Sequence, residues 1–271
     1  MLGILLVTVY SKLQLAKNSW GGVNSLSPHY TMQKLLVLCP SRGRPERIKD
    51  FLDSFESTTD CFHTKLAVLL DKDDPCIPQY MEVIPSWAIV RVYDRTGDKT
   101  YTTEILNRAV EEFYDYDFYS VTNDDIIYET PGWDDDLCNK GKISTGVERN
   151  MVKKYGRMRA KIHMEGFPIV SVIDADIVKA IGWIQYPELI HSCGDNVWYW
   201  IARRTGRLEI RRNIYYVHKS AYFGDGEDDE TFKRTNVRDS LMDDYYRYRD
   251  WLKYKINDDI EKIKEIECVM K

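Results

Sequence analysis

With 271 residues, 44% of them apolar, the chain can bury one large domain or two small ones. Its net charge of −5 supplies no global attraction to nucleic acid or to an anionic membrane. None of the six cysteines forms a CxxC pair, which argues against a zinc knuckle or redox motif and fits a reducing cytoplasm better than a disulfide framework.

The start is irregular. Leu2 to Tyr10 is apolar but too short to span a bilayer, and it lacks the basic leader of a secretory signal. Residues 11–31 are polar, so 1–31 reads as a peripheral extension ahead of a core opening at Met32. Lys34 to Pro40 is a continuous apolar run, the mark of a strand covered on both faces. Ser41-Arg42-Gly43-Arg44 then makes a turn. Pro45 suits a first helical position, and Ile48, Phe51, Leu52 and Phe55 recur at helical spacing. A second strand, Lys65 to Leu70, ends in Asp71-Lys72-Asp73-Asp74, and a third, Ala88 to Tyr93, runs into Asp94-Arg95-Thr96-Gly97-Asp98. Thr103 to Phe113 has helical periodicity. A fourth strand, Phe118 to Thr122, leads straight into Asn123-Asp124-Asp125. This alternation predicts an α/β fold with a mostly parallel central sheet and helices on both faces. The polar clusters at the strand ends should then meet along one edge, where such sheets bind ligands.

Asn123-Asp124-Asp125 is the most informative of these clusters. Carboxylates at the end of a buried strand are costly unless something keeps them ionised. A hard divalent cation does so, and it brings phosphate oxygens with it. The competing reading is a polar turn closing a strand.

The second half is less regular. Lys140 to His163 carries many bases, among them Lys153, Lys154, Arg157 and Arg159, and few acids. Phe167 to Ile173 reads as a strand, and Asp176 to Ile181 as a helix stopped by Gly182. Asp195 to Thr205 is an amphipathic helix stopped by Gly206, and Leu208 to Val217 is a strand ending at His218. Arg238 to Glu267 is a charged, tyrosine-rich helix or helix pair on the outside.

In order along the chain, Cys39-Pro40-Ser41-Arg42-Gly43-Arg44-Pro45, the strand ending in Asp71, Asn123-Asp124-Asp125 with Pro131-Gly132-Trp133, Gly182-Trp183, Gly194-Asp195-Asn196 and His218 make residues 34–232 resemble a GT-A-fold glycosyltransferase. The likeness is to the family-2-like kind found in bacteria and their viruses. It implies a Rossmann-like GT-A domain over 32–232, with a nucleotide-binding half at 32–130, an acceptor half at 131–232 and a C-terminal helical extension at 233–271. It also implies a nucleoside-diphosphate sugar donor, UDP-linked by preference, with Mn²⁺ or Mg²⁺ and cytoplasmic work (in the host cytoplasm if the source is viral). The chain departs from the usual Asp-x-Asp at its first position, Asn123.

On that resemblance Asp125 and His218 would hold the metal, and Asp124 and Asn123 would approach the donor. Pro40, Ser41, Arg42, Arg44, Asp71, Lys99 and Asn107 complete the expected donor site. Asp195 is the expected base of an inverting transfer. Several of these residues have plainer readings. Asp195 would serve as a helix N-cap, His218 as an ordinary strand-end histidine, and each arginine as a solvated loop charge. Trp133, Trp183 and Trp198 are candidates for a sugar or acceptor pocket, or core residues. The basic island suggests an anionic acceptor such as modified DNA, a phospholipid or a polysaccharide, and Arg203, Arg204, Arg207, Arg211 and Arg212 would extend it. Two other classes fit the same strand-end acids. One is a nucleotidyltransferase, for which Ser41-Arg42-Gly43-Arg44 is a poor glycine-rich loop. The other is a non-enzymatic binding module with a structural cation.

Overall fold

The computed structural model describes residues 33–59, 63–94, 102–150, 167–220, 233 and 238–269. The expected extension 1–31, Lys99, and Lys153, Lys154, Arg157 and Arg159 all lie outside them.

The apolar runs form the strands. β1 (Leu35–Ser41) pairs in parallel with β2 (Thr64–Asp71) on one side and β4 (Phe118–Val121) on the other, and β3 (Ile89–Tyr93) extends β2. Side chains alternate between two cores. Leu36, Leu38, Ala67 and Leu69 enter one, and Leu35, Val37, Cys39, Leu66, Val68 and Leu70 enter the other. This is why both strands read as unbroken hydrophobic runs. The second half completes the same sheet with β5 (Ile126–Tyr128), β6 (Ile143–Glu148), β7 (Ser171–Asp174) and β8 (Leu208–His218), in the order β3-β2-β1-β4-β7-β6-β8-β5. β7 runs antiparallel to β4 and β6, and β5 antiparallel to β8, while β6 and β8 are parallel.

Helices cover both faces. α1 (Pro45–Thr58) starts at its proline and buries Ile48, Phe51, Leu52 and Phe55. Burial of those four side chains contributes at most about 6–12 kcal/mol. The short α2 (Ile77–Val83), which no periodicity announced, puts Tyr80 in the same core, and so does α4 (Trp133–Leu137) with Trp133. Against the other face pack α3 (Thr102–Glu112), α5 (Ala175–Ile181), α6 (Gly194–Arg204), α7 (Arg238–Tyr254) and α8 (Ile256–Val269). The C-terminal pair is part of this core, because Trp251, Ile256, Ile260 and Ile263 are buried in it. No described helix is long and apolar enough to cross a membrane.

Two departures from the sequence reading matter for the site. The first part of the basic island is β6, a central strand whose side chains Ile143, Ser144 and Thr145 are buried. Its small and β-branched residues fit the sheet interior, and the surrounding lysines hid it. β8 also contains a large bulge. Thr145 pairs with Ile210, yet Val147 pairs with Tyr215. Gly146 sits at this irregularity, where a Cβ would lie 2.8 Å from the Ile214 carbonyl oxygen. The bulge re-aims the last turn of β8 towards β5.

Candidate active site at the carboxyl ends of the strands

β1 lies between neighbours reached in opposite directions, so a crevice opens where its carboxyl end meets that of β4. Ser41 to Arg44 form one wall and Asn123 to Asp125 the other. β5 follows the acidic motif at once and pairs antiparallel with the end of β8, matching Ile126 with His218. A backbone hydrogen bond of 2.8 Å from Lys219 N to the Asp125 carbonyl oxygen extends the ladder one step further. Asp125 and His218, 93 positions apart in the chain, are thereby forced together: Asp125 Oδ1 lies 3.1 Å from His218 Nε2.

The end of β8 is fixed from behind. Glu148 Oε1 accepts hydrogen bonds from the backbone N–H groups of His218 and Asn150, both at 3.0 Å, and Asn150 Nδ2 donates to the His218 carbonyl oxygen at 3.2 Å. Burial pulls the His218 pKa down. Contact with Asp125 and the charges of Glu148 and Asp195 outweigh it and leave the imidazole above its ordinary value.

Asp195 stands at the first turn of α6, half-buried, with Oδ1 accepting from Asn196 N at 2.9 Å. Burial raises its pKa, against the opposing effect of the N–H groups of Asn196 and Asp195 and the nearby His218. Its bond is to the adjacent N–H, while the N-cap position belongs to Cys193, a non-glycine residue at φ 68°. Gly194 lies against the tip of the Gln185 side chain, which would have to move aside for a Cβ at that position. The loop leading into α6 is held from α7. The buried Asp244 carboxylate accepts three consecutive backbone N–H groups, from Ile190 (2.8 Å), His191 (2.8 Å) and Ser192 (2.7 Å).

Other expected site residues serve the floor of the crevice. Arg44 N donates to the Tyr80 hydroxyl at 2.8 Å, Tyr80 is 2.7 Å from Ser41 Oγ, and Ser41 Oγ donates to Asp124 Oδ2 at 2.5 Å. Arg44 closes the loop by pairing with Asp124 Oδ1 at 3.2 Å. Asp124 is therefore buried with both oxygens engaged. Burial raises its pKa, against the pull of Arg44. Arg42 is bound to Asp73 at 2.5 Å and to Asp71 at 3.3 Å, so both arginines neutralise carboxylates of the protein itself. Pro40 is a β1 residue paired with Leu69. Asn123 is exposed at the mouth.

Asn107 is a latch, with Oδ1 accepting from Ile184 N and Gln185 N and Nδ2 donating to the Gln185 carbonyl oxygen. The tryptophans are core residues. Trp133 is fully buried and stacks on Tyr128 at 4.1 Å, while Trp183 and Trp198 pack on each other at 5.5 Å. The arginine cluster divides: Arg207 is buried against the Gly141 carbonyl oxygen and Arg211 pairs with Glu209, while Arg203 and Arg204 on α6 and Arg212 on β8 are exposed.

Sequence reasoning missed Tyr80, Glu148, Asn150 and Asp244. Glu148 alone left a trace, as an acid inside a basic run. The others carry no local signal, because their partners are remote in sequence.

Solved structures share this architecture. A mannosyltransferase from Pyrobaculum calidifontis, PcManGT, crystallised with GDP-Man and Mn²⁺, superposes with a TM-score of 0.51 over 96% of this chain and 80% of its own, at 11% identity. S. aureus TarS matches with a TM-score of 0.52 over 80% of this chain and 43% of its own, at 13% identity. A shorter form of TarS in complex with UDP matches at 0.50, with 13% identity over 68% of this chain and 60% of its own. The chain has a GT-A-like glycosyltransferase fold. No family model matches the sequence, and no protein of curated function matches it.

The GT-A-like fold raises the question of a metal. The buried Asp125 Oδ1 accepts no well-aligned hydrogen bond, although it faces His218 Nε2. Two ligands at right angles on one Mg²⁺, with bonds of about 2.1 Å, stand about 3.0 Å apart. The observed separation of 3.1 Å fits such a pair. Among the described residues no group of three His, Cys, Asp or Glu side chains forms a cation cage, so these two residues would share the ion with oxygens from a ligand.

Proposed function

We propose that this protein is a divalent-metal-dependent glycosyltransferase that moves a sugar from a nucleoside diphosphate to a hydroxyl acceptor with inversion. The observation that carries the reading is the 3.1 Å approach of Asp125 to His218 at the open strand ends, with Asp195 close enough for the charges of Asp195 and His218 to affect each other. Further support comes from the ligands of the structural neighbours, GDP-Man with Mn²⁺ in one and UDP in another. Asp125 and His218 would hold the metal, which when bound neutralises the charge that develops on a departing diphosphate.

The chain's own residues divide the remaining work. Ser41, Arg44, Tyr80 and Asp124 form a closed hydrogen-bonded network that keeps the crevice floor rigid, so that Asp125 is presented without reorganisation. Asn123 and the end of β2 at Asp71 line the donor side. Asp195 takes the proton of the acceptor hydroxyl. The acceptor oxygen then bonds to the anomeric carbon while the carbon–oxygen bond to the diphosphate breaks, its electron pair leaving with the nucleotide. The raised proton affinity of Asp195 suits a group that must accept a proton during the transfer.

Thermal-shift screening with UDP-, GDP-, CMP- and ADP-sugars, with and without Mn²⁺, tests this function. Metal-dependent stabilisation by a nucleoside diphosphate is expected. Indifference to every nucleotide would replace the reading with a binding module, and preference for a triphosphate would replace it with nucleotidyl transfer.

A further inference from the structure

The mechanism leaves unused the solvent face of α6 beyond Asp195 and the adjoining flank of α7. Helical spacing puts Asp195, Tyr199 and Arg203 in one row and Asn196, Trp200 and Arg204 in the next, so the rows run about 12 Å away from Asp195. The rings are continuous. Tyr199 and Trp200 stand 5.7 Å apart, Trp200 Nε1 donates to the Tyr248 hydroxyl on α7 at 2.7 Å, and Tyr248 lies 6.4 Å from Tyr245. Tyr245 is 43% exposed, a large aromatic surface to leave in water.

Three cations accompany the rings. Arg203 lies over Tyr199 at 5.9 Å, Arg204 over Trp200 at 5.8 Å and Arg249 over Tyr245 at 5.8 Å. Among the described residues none of these three guanidinium groups is within ion-pair distance of a carboxylate. Arg42, Arg44, Arg91 and Arg211 all pair with acids. On α7 the acids Asp243 and Asp250 fall about 100° round the helix from Tyr245 and Arg249 or beyond, on the far flank. Among the described residues Arg204 Nη1 donates only to the neutral Asn257 Oδ1, at 3.4 Å. The surface therefore combines polar-tipped aromatic faces, which suit sugar rings, with guanidinium groups that could fork onto a carboxylate or phosphate.

We infer that this α6–α7 face is the acceptor-binding surface, and that the acceptor is a saccharide chain bearing acidic groups, threaded so that its terminal hydroxyl reaches Asp195. The inference rests on the glycosyltransferase reading and names the acceptor class for it. A saccharide is favoured over nucleic acid because three cations on a chain of net charge −5 cannot supply the many phosphate contacts that nucleic-acid binding draws on.

The test is binding of the full chain to an array of carboxylated and phosphorylated oligosaccharides, their neutral counterparts and oligothymidylate, with Mn²⁺-dependent nucleoside diphosphate binding measured on the same samples. Acidic saccharides should bind about tenfold more tightly than neutral ones. The combined variant R203Q/R204Q/R249Q should lose that preference at unchanged melting temperature, and Tyr199→Ala and Tyr245→Ala should weaken both saccharide classes. Equal binding of acidic and neutral chains, a preference that survives the triple variant, no saccharide binding, or tightest binding of oligothymidylate would each overturn the inference. Loss of nucleotide binding alone, with the saccharide preference intact, would refute the enzyme reading and leave the surface standing.

Discussion

Asp244 holds the loop that carries Cys193, Gly194 and Asp195, so Asp244→Asn should loosen the candidate base without touching it. The carboxylate is 1% exposed and accepts three backbone N–H groups at 2.7–2.8 Å. Asparagine retains one oxygen, which can still serve His191 and Ser192 as Oδ2 does now. Its amide then faces the N–H of Ile190, leaving a buried donor unpaired, and the charge that strengthened the other two bonds is gone. With hydrogen bonds to a charged acceptor contributing about 1.5–3 kcal/mol and an orphaned buried donor costing about 1–3 kcal/mol, the loss is about 2–4 kcal/mol. For a domain of this size that lowers Tm by about 4–16 °C. Calorimetry gives the stability, and amide hydrogen exchange at residues 190–192 locates it. A Tm within about 2 °C of the parent, or unchanged protection of those three amides, would refute the latch.

Three further expectations follow from the geometry. Cys193 sits at φ 68°, so Cys193→Gly should be more stable than Cys193→Ala by about 1 kcal/mol, reversing the usual order of the two residues; thermal melts of the pair decide it. Gly146→Ala places a Cβ 2.8 Å from the Ile214 carbonyl oxygen and should cost about 1–3 kcal/mol, read as a drop in Tm, since backbone cannot yield as a side-chain tip can. The raised pKa of His218 sets a pH dependence. In the metal-free protein the stability that the proton confers is fully present below the ordinary value of 6.5 and is lost as pH rises through the raised one. Because Mn²⁺ requires the neutral ring, its apparent affinity should rise about tenfold per pH unit below the raised pKa and level off above it, which titrations across that window would show.

The N-terminal half of the fold was legible because its strands are buried on both faces and its helices carry one-sided apolar spacing. The run from Leu35 to Ser41 and the repeat at Ile48, Phe51, Leu52 and Phe55 are local signals of that kind. α2, α4 and β5 escaped because each is short and, unlike the equally short α5 with its Gly182 stop, none has a long apolar run or a glycine stop to mark it. β6 escaped because its flanking lysines dominate the composition. At the site, the types of Asp125, His218 and Asp195 suggested their chemistry, and the β5–β8 pairing explains why the first two meet. The pairing of Arg44 with Asp124, closed by Ser41 and Tyr80, and of Arg42 with Asp73 and Asp71 was not legible, because those partners come together only in the fold. A sequence displays which groups can ionise, whereas the partners that satisfy them are chosen by the fold.

The most direct measurement of the central claim is calorimetric titration of UDP and GDP into the protein with and without Mn²⁺, for the parent chain and for Asp125→Asn. The account predicts that the parent binds at least one of the two diphosphates only when Mn²⁺ is present. It also predicts that Asp125→Asn weakens this binding by at least about tenfold, while its metal-free Tm, measured above the raised His218 pKa where the ring is neutral, stays close to the parent's. Diphosphate binding that is equally tight without metal, or equally tight in the variant, would contradict it.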